Sequence, residues 1–236
     1  MTVHVYSIMW NEEFMLPHFL KHYSKYADRI FIINDHSTDK TVEIARQLGI
    51  QTYVHSQNRG YGGNQKTCYT IALSQKADIV VMIHPDYQYD SKLIPDLVAP
   101  IARGQFDVML GSRIRTRKEA LDGGMPPYKY YFNRFLTIIQ NILLGLNLSE
   151  YHTGFRAFSS KSLKEIPFHK FSDNFVFDQQ ILIYAHRLNL KIGEIPVPVR
   201  YFPEASSINI IQSTIYGLGI LGELFKYIIV QKQPYK

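Results

Sequence analysis

Short apolar strands alternate with amphipathic helices over the first 112 residues, and this alternation restricts the chain to few folds. Five segments have the length and the β-branched or apolar composition of strands: Val3–Met9, Arg29–Ile33, Gln51–His55, Asp78–Ile83 and Asp107–Leu110. Helical patterns lie between them: Glu12–Tyr26, a helix ending near Leu48, a helix from Tyr61–Gly63 to about Lys76, and Ser91–Arg103. This order predicts an α/β fold with a mostly parallel sheet and helices on both faces.

The predicted sheet indicates where a ligand binds. In open α/β sheets, ligands lie beyond the carboxyl ends of the strands. Asp35 comes directly after the second predicted strand, and Asp86 follows the fourth. We therefore expect a binding site at the edge that carries these two carboxylates.

The alternation stops beyond Gly111. Three further helices and one strand are predicted there: Met125–Asn147, Asn174–Leu188, Lys191–Val199 as the strand, and Ile208–Gln231. No low-complexity or Ser/Gly/Pro-rich linker divides the chain. We therefore expect one domain over residues 1–236, with halves at 1–112 and 113–236.

Composition narrows the partners and the compartment. The net charge of +6 favours anionic partners, but no zinc-finger spacing, RNA-binding signature or long basic run predicts nucleic acid. Cys68 is the single cysteine, so an intrachain disulfide is excluded. The first ten residues have the pattern of a strand rather than of a signal peptide, and no segment is predicted to span a membrane. We expect a cytoplasmic protein.

Four groups of polar residues carry the candidate chemistry. They are Asn34–Asp39, Asn58–Gly63, His84–Asp90, and the arginines Arg113, Arg134, Arg156 and Arg200. A carboxylate can accept from a nucleobase N–H, a glycine loop before a helix can hold a phosphate, an acid can hold a divalent ion, and guanidinium groups suit phosphate oxygens. Each group also has a structural alternative as a polar turn, solvated acids or surface ion pairs, and residue type leaves both open.

In this order, the groups resemble the family 2 glycosyltransferases with the GT-A fold, a Rossmann-like α/β fold. Within the family, the chain is most similar to the catalytic domain of dolichyl- and undecaprenyl-phosphate sugar synthases. The resemblance covers nearly the whole chain and is carried by these segments: Asn11-Glu12, Asn34–Asp39, Asn58–Gly63, Asp86–Asp90, Gly111–Arg113, Tyr128–Thr137, Tyr151–Phe158, Phe175–Asp178 and Val197–Ser207. It implies that residues 1–112 bind a nucleotide sugar and residues 113–236 bind the acceptor.

For the donor, the resemblance implies a nucleotide pocket in the first half. Glu12 and Asp35 would border the nucleobase, and Asn58 and Arg59 would lie near the nucleotide. Trp10 stands where the family usually has the tyrosine of a proline-x-tyrosine sequence, so this wall of the base pocket differs.

For the cofactor, the resemblance implies a divalent metal, Mn²⁺ or Mg²⁺. Asp86 and Gln88 would match the second acid and the glutamine of the Asp-x-Asp-x-Gln motif, with Asp86 also close to the donor. His84 stands where the family has the first acid. Imidazole ligates Mn²⁺ but suits Mg²⁺ poorly, because Mg²⁺ is a hard cation that prefers oxygen.

For the acceptor, Arg113 and Arg134 would match the arginines around a phosphate, and Asp178 would lie near the donor sugar or the acceptor. The arginine that often follows the late strand falls near Glu204, while Arg200 stands four residues earlier. A polyprenyl phosphate acceptor is already anionic and needs no strong base, whereas a sugar hydroxyl needs one, with Asp178 as the candidate.

The leading hypothesis is therefore metal-dependent sugar transfer from a nucleoside diphosphate donor. The alternatives are a non-catalytic protein that binds a nucleotide sugar or lipid phosphate, and a nucleotidyltransferase.

Two predicted apolar helices allow two interpretations, a membrane-binding surface or a part of the core or of a subunit interface. Residues 128–147 carry Lys129 and Arg134, and Ile208–Gln231 has Lys226 and Lys232 near its end. Apolar faces flanked by cations are typical of helices at a membrane interface. The alternative is that both helices complete the core or a homo-oligomer interface.

Overall fold

The computed structural model describes residues 2–84, 89–198 and 210–231 and confirms the predicted mixed α/β fold with a mostly parallel sheet. The strands within these residues are β1 (Val3–Met9), β2 (Arg29–Asn34), β3 (Gln51–Val54), β4 (Ile79–Met82), β5 (Val108–Ser112), β6 (Arg156–Ser159) and β7 (Ile192–Pro196). The helices are α1 (Leu16–Tyr23), α2 (Thr41–Gln47), α3 (Gly60–Ser74), α4 (Ile94–Ala102), α5 (Arg117–Asp122), α6 (Pro127–Leu144), α7 (Ser160–Glu165), α8 (Phe177–Arg187) and α9 (Ile210–Gln231). Short 3₁₀ turns lie at Ser91–Leu93 and Phe168–Lys170.

The sheet order is β3-β2-β1-β4-β6-β5-β7. The first four strands are parallel, β5 is parallel to β7, and β6 runs antiparallel between β4 and β5. Strand β6 was not predicted, because four residues that begin with an arginine show neither a strand period nor an apolar run. Its insertion joins the two halves of the chain in one sheet.

Two apolar layers cover the two faces of the sheet. Helices α1 and α4 pack on one face, with Phe19, Ile32 and Leu97 fully buried among their side chains. The other face is covered by α3, α7, α8 and α9, and Cys68 is buried there as a small core residue. None of the helices within the described residues is long and apolar enough to cross a bilayer.

The start of α3 packs against the backbone of the loop before α8. A Cβ on Gly62 would lie 2.3 Å from the carbonyl oxygen of Ser172, and one on Gly60 would lie 2.8 Å from that of Asp173. Gly60 also has a φ of +73°, which disfavours other residues. The glycines in this turn are therefore required by close backbone packing between the two halves of the chain.

The substitution Gly62→Ala should lower the free energy of unfolding by about 1–3 kcal/mol, because the added methyl group overlaps backbone atoms that cannot rotate away. Gly222→Ala is the matched control, since a Cβ there meets nothing within 4 Å and alanine favours a helix by up to about 1 kcal/mol. Urea denaturation of both variants measures the difference. Equal stability of Gly62→Ala and the native protein would contradict the packing described.

Candidate functional site

Four parallel strands end at one edge of the sheet and bring the first candidate residues together. Trp10 follows β1, Asp35 follows β2, His55 follows β3, and His84 lies two residues after β4. The Trp10 side chain is 58% exposed, so a large aromatic surface faces solvent at this edge. The parallel register thus brings Trp10, Asp35 and His84 to the edge of the sheet at which the sequence predicts a binding site.

Two loops at this edge are joined by hydrogen bonds. Asn11 has a left-handed backbone, with φ of 56°. Its N–H donates to Ser37 Oγ at 2.9 Å, and its side-chain oxygen accepts from the Thr38 N–H at 2.9 Å. The Glu12 N–H donates to Thr41 Oγ1 at 2.8 Å. These bonds fix the loop that carries Trp10 against the loop that carries Asp35.

Asp35 is buried, and its carboxylate is already oriented by protein groups. Its Oδ1 accepts from the Arg59 N–H at 2.9 Å and lies 3.2 Å from Nδ1 of His55. The other ring nitrogen of His55 lies 3.0 Å from Thr67 Oγ1. Asp35 and the backbone of Arg59 are thus brought together, with His55 as a partner that sequence reasoning missed.

The glycine turn contacts protein backbone, whereas its sequence suggested a phosphate-binding loop. Asn58 Oδ1 accepts from the Gly60 N–H at 2.9 Å, which closes the turn. The N–H groups of Gly62 and Gly63 both donate to the Asp173 carbonyl, at 2.7 and 3.4 Å. A backbone carbonyl therefore occupies the two donors that would have served a phosphate at this helix start.

His84 lies against the chain at Gly154. A Cβ on Gly154 would be 2.2 Å from Nε2 of His84, so only glycine leaves room for the imidazole. Asp86 and Gln88, the two other predicted metal ligands, lie outside the described residues. Among the residues described, no group of three His, Cys, Asp or Glu side chains forms a metal site.

Asp178, at the start of α8, is held by one of its two oxygens. Its Oδ2 accepts from the Tyr61 hydroxyl at 2.9 Å and pairs with Arg156 Nη2 at 3.1 Å. Oδ1 is buried without a hydrogen-bond partner among the described residues. Burial raises the pKa of Asp178, while the charge of Arg156 and the Tyr61 hydrogen bond oppose that rise. Within the described residues, one acceptor oxygen of this carboxylate thus has no protein partner.

Arg113 is paired with a buried carboxylate. Its guanidinium forms a salt bridge with Glu150, which is fully buried, and donates to the His152 carbonyl at 2.7 Å. Asn133 Nδ2 donates to the same carboxylate at 2.8 Å. The charge of Arg113 is thus largely balanced within the protein, and an acceptor phosphate would share this arginine with Glu150.

The other candidate arginines differ in their burial and in their hydrogen-bond partners. Arg134 Nη1 donates to the Ser149 carbonyl at 2.6 Å, which places it near the Arg113 ion pair. Arg156 is fully buried. Besides the Asp178 carboxylate it bonds the backbone carbonyls of Tyr151, Thr153 and Asp178, so it is a structural cation rather than part of an anion site. Arg200 lies outside the described residues.

Lys129, which the sequence indicated only as a cation beside an apolar helix, lies near Arg113. Partial burial lowers the pKa of Lys129, and the charge of Arg113 lowers it further. No ion pair is found for Lys129 within the described residues. A bound anion would therefore be favoured beside these two cations.

Comparison with known proteins finds a matching family model and similar proteins from other organisms. The family model described as "Glycosyl transferase family 2" matches residues 5–167. An uncharacterised protein of Methanocaldococcus jannaschii is 32% identical over 81% of this chain and 79% of its own length. A UDP-N-acetylglucosamine–dolichyl-phosphate N-acetylglucosaminyltransferase of Methanococcus voltae is 29% identical over 81% of this chain and 83% of its own length.

Solved structures show the same fold. Glucosyl-3-phosphoglycerate synthase from Mycobacterium tuberculosis in complex with UDP superposes with a TM-score of 0.73 at 20% identity, over 96% of this chain and 79% of that one. The same enzyme in complex with Mn²⁺, UDP-glucose and phosphoglyceric acid gives a TM-score of 0.73 at 19% identity, with the same coverage. At this identity the likeness establishes the fold.

The substitution Tyr61→Phe should raise the pKa of Asp178, because the lost hydroxyl donates to the ionised carboxylate and stabilises it. The carboxyl titration, followed by ¹³C NMR, should move to higher pH, so a larger fraction of Asp178 is protonated at any given pH near its pKa. Tyr131→Phe is the control, since Tyr131 is an exposed tyrosine of α6. A titration that moves to lower pH, or stays in place, would contradict the role assigned to Tyr61.

Proposed function

The chain belongs to glycosyl transferase family 2 and is a glycosyltransferase with the GT-A fold, and from this premise we propose that it transfers a sugar from a nucleoside diphosphate donor to a polyprenyl phosphate at a membrane surface. Family membership rests on the match over residues 5–167 and agrees with the resemblance found in the sequence. It favours the enzyme over the non-catalytic and nucleotidyltransferase alternatives.

The donor is proposed to bind at the edge formed by the first four strands. Asp35 would accept from the nucleobase, while Trp10 and Glu12 border the same pocket and Asn58 and Arg59 lie near the nucleotide. The fixed orientation of Asp35 supports this, because an ordered acceptor loses little entropy when a base binds. UDP is the proposed nucleotide, since the relative from Methanococcus voltae is named for a UDP-sugar.

A divalent metal is proposed to bind at His84, Asp86 and Gln88. The set of one imidazole, one carboxylate and one amide suits Mn²⁺ better than Mg²⁺, and His84 is held in place by its packing on Gly154. When bound, the metal would neutralise the leaving diphosphate. His84 is proposed as the ligand that makes this site selective for Mn²⁺.

The chain's own residues would position the sugar and the acceptor. Oδ1 of Asp178, which has no partner among the described residues, would accept a hydrogen bond from a sugar hydroxyl, while Tyr61 and Arg156 hold the carboxylate in place. Arg113, Arg134 and Lys129 would surround the acceptor phosphate. A phosphate is already a nucleophile at neutral pH, so the reaction would depend on positioning and charge rather than on a strong base.

An exposed apolar surface on two packed helices carries the proposal of a lipid acceptor. Large apolar side chains lie along one side of each helix: Tyr128, Tyr131, Phe132, Phe135, Ile138 and Ile142 on α6, and Ile215, Leu218, Leu221, Phe225 and Ile229 on α9. We call this surface the α6–α9 face. The two helices meet where the Phe132 ring lies over Gly217. Exposed apolar patches of this kind mark interaction sites.

The partner proposed for the α6–α9 face is an anionic bilayer surface. Lys129 and Arg134 lie on α6 beside the apolar residues, and Lys226 on α9 is largely exposed. Lipid headgroups attract such cations while the acyl region accepts the apolar side chains. The enzyme would then act as a peripheral protein at the inner face of the membrane.

A hydroxyl acceptor is the second candidate, favoured by the buried carboxylate of Asp178. Its raised pKa and unpartnered oxygen are those expected of a general base. In that case the acceptor would be a sugar or another alcohol, and a lipid phosphate would not be consumed.

Purified protein mixed with UDP-, GDP- or dTDP-sugars and polyprenyl phosphate vesicles should form a lipid-linked sugar from a UDP-sugar, faster with Mn²⁺ than with Mg²⁺. Asp86→Asn should abolish transfer and weaken Mn²⁺ binding measured by calorimetry, because a carboxylate ligand is lost. Asp96→Asn, an exposed acid on α4, is the control. Transfer only to alcohols would favour the second candidate, and unchanged Mn²⁺ binding by Asp86→Asn would disprove the metal site.

The protein should float with anionic vesicles at low salt and be released as salt rises, because salt screens its attraction to the headgroups. The double variant Phe135→Glu with Leu218→Glu should bind more weakly, whereas Leu48→Glu, on an exposed apolar residue of α2's end, should not. Size-exclusion chromatography tests the alternative of a homo-oligomer. A stable dimer that the double variant breaks, together with no vesicle binding, would assign the face to protein association.

A further inference from the structure

Tyr216 is the residue by which α9 meets the segment that precedes β6. Its hydroxyl accepts from Gln179 Nε2 at 2.7 Å and lies 3.2 Å from Nδ1 of His152. The rings of Tyr216 and His152 stand edge to face, with centroids 5.7 Å apart. Burial raises the pKa of Tyr216 and lowers the pKa of His152 to about 3. A protonated hydroxyl therefore faces a neutral imidazole. Nδ1 of His152 also lies 3.2 Å from Gln179 Nε2, which is a donor, so the tautomer with an unprotonated Nδ1 allows both neighbours to donate to it.

The segment Tyr151–Thr153 is held through every one of its carbonyl groups. The Tyr151 carbonyl accepts from Arg156 and Gln179, at 3.2 and 3.3 Å. The His152 carbonyl accepts from Arg113 at 2.7 Å, and the Thr153 carbonyl accepts from Arg156 at 2.7 Å. A shift of this segment would therefore move Arg113 on one side and Arg156 on the other.

Gln179 connects the same hydroxyl to two further helices. It follows Asp178 directly on α8, and its Oε1 accepts from Gln140 Nε2 of α6 at 2.5 Å. The three polar side chains Gln140, Gln179 and Tyr216 thus join α6, α8 and α9 inside an otherwise apolar layer. Buried polar groups of this kind fix one arrangement, because any other leaves them unpaired.

We propose that Tyr216 is a positioning residue for the transfer reaction. Its hydroxyl links the position of α9 to the Tyr151–Thr153 segment, and through that segment to Arg113 and Asp178. The inference rests on the proposed function, since it concerns the same site. This link would also hold the α6–α9 face at a fixed position relative to Arg113 and Asp178. Helix α9 contributes to that face and touches the site through Tyr216.

The variant Tyr216→Phe tests this coupling because it removes one oxygen and keeps the ring. The turnover number should fall by about tenfold to a hundredfold, as expected when reacting groups lose their alignment, while KM for the nucleotide sugar stays unchanged. Gln179→Leu should have a similar effect, and the double variant should lose less than the product of the two single losses, since both act through one network. Tyr227→Phe, a buried tyrosine farther along α9, is the control and should keep native turnover.

A spectroscopic measurement separates positioning from a general loss of structure. In ¹⁵N-histidine NMR, Nδ1 of His152 should be unprotonated and hydrogen-bonded in the native protein. Its signal should shift towards that of a more weakly bonded nitrogen in Tyr216→Phe, where Gln179 Nε2 is the neighbour that remains, and further in the double variant of Tyr216→Phe with Gln179→Leu. The other histidine signals should stay in place. Native turnover together with an unchanged His152 signal would overturn the proposal, as would a Tyr227→Phe variant with the same loss of turnover.

Failure of the proposed function would be recognised separately. If the native protein forms no lipid-linked sugar, the acceptor assignment fails. Turnover is then measured as hydrolysis of the donor. The NMR measurement of His152 requires no acceptor substrate. Tyr216→Phe that hydrolyses donor at the native rate with an unshifted signal would overturn the positioning role in that case too.

Discussion

The structure depends on one buried charge, the guanidinium of Arg156. It has no exposed surface and pairs with Asp178 at 3.1 Å. Its remaining donors go to the carbonyls of Tyr151, Thr153 and Asp178. Because a buried cation is very costly without partners, these groups must stay where they are for the fold to be stable. The strand that begins at Arg156 is thereby tied to α8, and the candidate site is built on this connection.

A second buried ion pair fixes the proposed acceptor side in the same way. Glu150 is fully buried and is neutralised by Arg113, with Asn133 as a further donor. Burial would raise the pKa of Glu150, but the charge of Arg113 and the hydrogen bonds from Arg113 and Asn133 overcome it, so its pKa is lowered. The carboxylate therefore stays ionised, and Arg113 is oriented before any ligand arrives. This order reduces the entropy lost on binding an acceptor.

The two halves of the chain meet at α3 as well as in the sheet. The Asp173 carbonyl takes the first donors of that helix, and Lys66 reaches back to the Asp173 carboxylate at 2.8 Å. Tyr61, in the same turn, reaches across to Asp178 and stacks on Phe175. The glycine turn thus brings the two halves of the chain together, and the N–H groups of Gly62 and Gly63 bind a backbone carbonyl rather than a phosphate.

The sequence alone determined the α/β class, the strands of the first half and the edge at which Asp35 lies. It could do so because apolar periodicity is a local property, and because alternating strands and helices imply a parallel sheet whose strands end at one edge. The segments that carry the family resemblance could also be recognised in the sequence, because they follow one another in a fixed order.

Only the tertiary structure decided which polar residues are partners. The pattern showed four arginines alike, whereas the fold buries Arg156 as a structural cation and pairs Arg113 with Glu150. The contact between His152 and Tyr216 was likewise invisible, because it joins residues 64 positions apart. Strand β6 is short and begins with an arginine, and it pairs with strands far from it in the sequence. A hydrogen bond between distant residues leaves no periodic signal in a single sequence. Burial, which sets the cost of every unpaired charge, is known only once the chain is folded.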